Sequence, residues 1–149
     1  MLRTLFNLPS ESTLVRALRR LRCQPGISRQ HINSMSLKLP SEAGREKFIF
    51  LLMEEMSIKK GLRYDQISES IIGFTDDGSE RTVKLATSAL SISVCGVVKR
   101  WSHPIGFFLT ESSMKSQFII DVIQKAIALL EEAGYTLLGL TTDQGSNFE

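Results

Sequence analysis

The chain is short of the side chains that build metal and disulfide frameworks. Its two cysteines, Cys23 and Cys95, and two histidines, His31 and His103, are too few and too scattered for a zinc site of the usual type. Two distant thiols without a CxxC pairing fit a reducing compartment better than a disulfide-stapled secreted scaffold. No apolar run reaches the ~18–20 residues needed to cross a bilayer, so no membrane partner is expected. There is no internal repeat and no low-complexity tract. Aromatic residues are sparse, and Trp101 with Phe107 and Phe108 forms no repeated pattern of the kind that stacks bases; they read as core. His103, before Pro104, has no acid or cysteine near it in sequence; it reads as a surface or loop histidine without a catalytic role.

What remains is an ordinary globular composition, 42% hydrophobic and 23% charged over 149 residues. That length fits one domain burying roughly two-thirds of the surface its unfolded chain exposes. The net charge of +2 conceals an asymmetry. Residues 1–34 hold six arginines and one acid, Glu11, whereas the remainder is mildly acidic. A basic arm before an acidic body points to an anionic partner at the N-terminus, with nucleic acid the natural candidate. The same Arg- and Ser-rich start has the composition of a mitochondrial transit peptide. Pro9 and the Pro25-Gly26 break instead delimit one helix-sized unit.

The periodicities predict the following elements. Residues 10–22 form a short helix capped by Ser10 or Ser12, with Leu14, Leu18 and Leu21 on one face and Arg16, Arg19 and Arg20 on others. Residues 27–40 read as a linker, and 41–46 as a single helical turn. The continuous run from Phe48 to Met53 suits a strand buried on both faces. Leu62 to Tyr64 and Ile71 to Phe74 flank a polar stretch as a hairpin, followed by a loop at Asp76-Asp77-Gly78-Ser79. Leu90 to Val97 alternates as a third major strand, and Pro104 to Leu109 forms another. Residues 113–133 carry Ile119, Ile123, Ala126, Ile127 and Leu130 at helical spacing, and Gly134 ends the helix. A last strand around Leu137 to Leu140 follows at once. Strands, a long helix and a returning strand describe an α/β layer with a crossover helix.

Two acidic positions stand out because each sits at the end of a strand. Glu54-Glu55 closes the first buried strand and Asp143 closes the last. Neighbours on a strand point to opposite faces, so only one of Glu54 and Glu55 can share a face with Asp143. Two carboxylates at one sheet edge make a hard oxygen site for Mg2+ or Mn2+. The plainer alternative is that Asp143, ahead of Gln144-Gly145-Ser146-Asn147, is a turn former bonding its own backbone. Lys59 and Lys60 are placed to steer a DNA backbone, or are edge charges that block strand pairing. Arg16, Arg19 and Arg20 are phosphate contacts or a solvated basic face.

The stretch Glu54-Glu55-Met56-Ser57-Ile58-Lys59-Lys60-Gly61-Leu62-Arg63-Tyr64-Asp65 resembles the Asp-Glu-Met-Ser-Ile-Lys block of P element-type transposases, including their THAP-related members. The resemblance continues in order through Ile71-Ile72-Gly73-Phe74, Trp101 with Pro104-Ile105-Gly106-Phe107-Phe108, and Ser113-Met114-Lys115. It ends on Gly139-Leu140-Thr141-Thr142-Asp143-Gln144-Gly145-Ser146-Asn147, and upstream Leu8-Pro9-Ser10 to Pro25-Gly26-Ile27 is similar to the helical segment preceding this domain.

The resemblance implies a basic helical segment and linker over residues 1–40. Residues 41–149 would then be the N-terminal portion of a ribonuclease H-like catalytic domain, an α/β fold with a partial mixed sheet. It implies a nuclear protein acting on DNA with Mg2+ or Mn2+, and a homo-oligomer if it is part of a longer transposase. Asp143 matches one metal-binding Asp of the family. The other falls on Glu54, where an extra methylene displaces the carboxylate by about 1 Å, enough to cost on the order of a hundredfold in rate. The family's third acid, its guanine-nucleotide (GTP) site and its zinc finger have no counterpart in these residues. The expectation is a fragment or degenerate copy, inactive alone. The alternative is a non-catalytic DNA- or protein-binding module on the same fold.

Overall fold

The computed structural model describes residues 10, 12–13, 24–36, 44–66, 68–111 and 116–142. Ser10 accepts the Thr13 backbone N–H on Oγ at 3.1 Å, with Ser12 and Thr13 already helical. That is the N-cap expected of Ser10. The rest of that helix, with Arg16, Arg19 and Arg20, lies outside the described residues, as do 37–43, 112–115 and 143–149.

The described elements, in chain order, begin with β1 (Gly26–Ile27), α1 (Arg29–Ser36) and a 3-10 turn (Gly44–Lys47). Next come β2 (Phe48–Ser57), the short pair β3 (Arg63–Asp65) and β4 (Ser70–Ile72), then β5 (Phe74–Asp76) and β6 (Arg81–Leu85). The long strands β7 (Ser88–Gly96) and β8 (Ser102–Thr110) lead into α2 (Ser116–Glu132) and the final strand β9 (Thr136–Thr142). One mixed sheet runs β6-β5-β8-β7-β2-β9, with β1 beside β8, while β3 and β4 pair only with each other. The β2–β7 and β7–β8 pairings are antiparallel and β2–β9 is parallel. The crossover helix therefore returns the chain to the sheet as the sequence pattern requires.

Alternation decides which face is buried. Leu51 and Met53 of β2 lie opposite Val94 and Ile92 of β7, Ile49 lies opposite Gly96, and all five apolar side chains are fully buried. Ile105 and Phe108 of β8 extend the same layer beneath Ile32 and Met35 of α1 and Ile119, Val122, Ala126 and Leu130 of α2. Each large side chain so buried contributes roughly 1.5–3 kcal/mol. On the opposite face Phe48, Phe50 and Leu52 are only half-buried, so β2 is not buried on both faces as its unbroken apolar run suggests. Nor does it close at Glu54-Glu55, since it pairs with β7 through Ser57.

Helix α2 ends where Gly134 predicts. Gly134 adopts φ 83° and donates to the Glu131 carbonyl, while Tyr135 N–H reaches Leu130 at 2.9 Å. These two bonds satisfy carbonyls that the helix end would otherwise leave unpaired.

Two expectations fail upstream and at β8. Residues 29–36, read as linker, form a helix whose Ile32 and Met35 are core residues. Its polar composition hid a two-residue apolar contact, and its start is set by Ser28. That residue donates its N–H to Ile105 in the sheet and accepts the His31 N–H on its side chain. The close approach depends on glycine: a Cβ on Gly106 would lie 2.6 Å from the Gly26 carbonyl oxygen. His103 is not a loop residue either. It sits in β8 opposite Val94, half-buried, with the His31 ring edge-on at 6.1 Å.

Candidate metal and nucleic-acid site

Glu54 lies on β2 opposite Ser91 of β7, and it is exposed. The strand places it on the face opposite Met53, away from the helix-covered core. The β2–β9 register runs Phe50–Gly139, Leu51–Leu140, Leu52–Thr141 and Met53–Thr142. Thr142 is the last described residue, and Asp143 lies outside the described set. The structure thus carries β2 and β9 side by side up to the residue before each candidate acid.

A β-bulge fixes that register. Between Ile49 and Phe50 the pairing steps from Leu137 to Gly139, which leaves Leu138 as the extra residue. Gly139 then faces the Phe50 ring, where a Cβ would stand 2.8 Å from the ring edge. A side chain there would force strand or ring aside, so Gly139 lets β9 lie close against β2 below the acids.

Glu55 turns to the other face, as alternation requires, and is held there. Ser88, only 8% exposed, donates its hydroxyl to Glu55 Oε1 at 2.5 Å. This fastening is missing from the sequence reading, because it depends on the Glu55–Leu90 register that sets Ser88 next to the strand end. The periodic face Leu90, Ile92, Val94 already pointed toward Ser88 as its next member. Lys59 and Lys60 follow β2 after Ile58 and are both exposed. They stand at the same end of the strand as Glu54.

Among the described residues, no group of three or more His, Cys, Asp or Glu converges as a metal cluster. Trp101 and Phe108 fall in or against the core, as expected, and Phe107 is half-buried. No described helix is long and apolar enough to cross a membrane.

Known proteins resemble this chain in sequence and fold. Residues 23–149 match the model of the TNP-like, RNase H N-terminal domain. The chain is 23% identical over 145 residues to the human DNA transposase THAP9, covering 95% of this chain and 16% of that protein. The solved Drosophila P element transposase strand transfer complex has a similar fold, with a TM-score of 0.66 at 21% identity over 95% of this chain and 28% of that one. The chain therefore spans well under a third of either relative. With a mixed sheet, a crossover helix and a family match that covers most of its length, the chain belongs to the TNP-like, RNase H N-terminal domain family.

Proposed function

We propose that this chain is the N-terminal part of a P element-like transposase core that binds divalent metal weakly and DNA electrostatically, and does not cleave DNA by itself. The observation that carries the reading is the parallel register of β2 and β9 up to Met53–Thr142. Continued by one residue, it would set Asp143 beside Glu54.

Glu54 is a hard oxygen donor on the solvent-exposed face of β2, which suits Mg2+ or Mn2+. Such ions, when bound, polarise the attacking and leaving oxygens of a phosphodiester. Two carboxylates leave most of the coordination sphere to water, and the longer arm of Glu54 further loosens the site. Lys59 and Lys60 would draw the DNA backbone toward that end of the sheet, and Arg16, Arg19 and Arg20 would add phosphate contacts of their own. A protein with this task works in the nucleus.

Manganese titration followed by water-proton relaxation tests the site. Asp143→Asn and Glu54→Gln should each weaken Mn2+ binding by roughly tenfold or more. Glu54→Asp, which restores the shorter arm, should strengthen it. Equal binding by the wild-type chain and both neutralised variants would remove the metal reading. DNA binding that persists in those variants but fails on neutralising Arg16, Arg19 and Arg20 would favour the non-catalytic binding module.

A further inference from the structure

Past Met53 the described register of β2 runs with β7 alone: Glu54 lies opposite Ser91, Glu55 opposite Leu90, Met56 opposite Ala89 and Ser57 opposite Ser88. The start of β7 is itself anchored on both sides. Ile58 N–H donates to the Thr87 carbonyl at 2.8 Å, and Thr87 N–H donates to the Thr110 carbonyl at 2.7 Å. Ser88 thus stands on a fixed base, with Ser57 of β2 on one side and Thr110 of β8 on the other.

From that base its side chain reaches diagonally back along β2. Ser88 is the one buried polar or charged side chain among the described residues. Its hydroxyl donates to Glu55 Oε1 at 2.5 Å, and the Met56 carbonyl oxygen lies 3.3 Å away as a second acceptor. A hydrogen bond to a carboxylate belongs to the stronger, charge-assisted class. Glu55 shares a peptide unit with Glu54. Holding the Glu55 side chain on the core face therefore fixes the pleat at this point, and the pleat decides where the Glu54 Cα–Cβ bond points.

We propose that Ser88 is a positioning residue: through Glu55 it sets the direction in which Glu54 offers its carboxylate to Mg2+ or Mn2+ on the opposite face of the strand. The inference rests on the metal reading of Glu54 and adds to it a residue that touches no metal. Without the hydroxyl, the half-buried Glu55 carboxylate loses this donor and is drawn toward water. The strand end turns with it and carries Glu54 out of line, and a displacement of about 1 Å matters to a ligand that must meet a small ion.

Manganese titration of the full chain by water-proton relaxation tests it, with urea unfolding of each variant alongside. Ser88→Ala should weaken Mn2+ binding by about tenfold, and Ser88→Thr, which keeps the hydroxyl, should stay within about twofold of wild type. Ser88→Cys, close in shape but a weak donor, should fall between them and supplies the reading if the alanine chain does not fold. In a Glu55→Ala background, Ser88→Ala should add less than about twofold, because the hydroxyl acts through Glu55. Ser88 variants that lose urea stability but keep wild-type Mn2+ affinity overturn the proposal and leave the metal reading intact. An equal loss in both backgrounds overturns it too, since the effect would then not pass through Glu55. A wild-type chain that binds Mn2+ no better than Glu54→Gln overturns the metal reading, and the role of Ser88 with it.

Discussion

Asp77 shows how one side chain organises a turn that the sequence marks only as a loop. Its Oδ1 accepts the Ser79 hydroxyl at 2.7 Å and the backbone N–H groups of Ser79 and Glu80 at 2.8 and 2.7 Å. Partial burial pushes its pKa up, but the Ser79 hydroxyl and the Glu80 and Ser79 amides outweigh this and hold it below the usual 3.8. A carboxylate with a lowered folded pKa stabilises the fold above its unfolded pKa. That contribution is lost as pH falls through the folded value. Asp77→Asn should therefore narrow stability near neutral pH, and the gap from wild type should close as the pH falls below 3.8. Urea titrations of both proteins across that range check it, and a gap independent of pH would refute the assignment. Glu54 and Glu55 make the complementary point: two adjacent acids of one type differ in role because a pleated strand sends them to opposite faces, one exposed and one fastened by Ser88.

At the scale of elements, α1 is the part whose importance composition hides. Among its residues of described burial, Ile32 and Met35 alone enter the core, yet both are almost completely buried. Ile32→Ala should cost about 2–5 kcal/mol, the range for a large-to-small change in a packed core. Denaturant unfolding measures this directly, and a cost under about 1 kcal/mol would mean that α1 is peripheral. The ion pair between Arg29 of α1 and Glu132 of α2 spans 2.9 Å but is exposed on both sides. Its loss should matter far less than the loss of Ile32. Helix α2 was legible as an element because its apolar stripe recurs at helical spacing and Gly134 ends it. Helix α1 was not, since two apolar contacts among polar residues leave no stripe to read.

Across the whole molecule, stability should be graded from the centre of the sheet outward. Strands β2 and β7 carry fully buried side chains and are paired on both edges, whereas β3–β4 is an exposed ribbon joined to the sheet by its base alone. Amide exchange at dilution should be slowest at Leu51, Met53, Ile92 and Val94. It should be fastest at Tyr64 and Ile71, with the hairpin opening separately from the global transition. Equal protection in the ribbon and the central strands would contradict this gradient.

Local pattern and composition determined the strand-rich core, the crossover helix, the basic start and the two candidate acids, because alternation, helical spacing and turn residues are short-range signals. The same signals marked β3–β4 as a hairpin, and the family resemblance was readable from contiguous blocks. Tertiary structure alone decided the rest. The half-covered second face of β2, the seating of α1 through Ser28 and the glycine crossings at Gly26 and Gly106 all join residues distant in sequence. The pairing of His103 with His31 and the hold of Ser88 on Glu55 are of the same kind. The parallel register that leads toward Glu54 and Asp143 is set by a bulge at Leu138 and by the room Gly139 leaves for Phe50. Register is a property of two strands together, and no single stretch of sequence contains it.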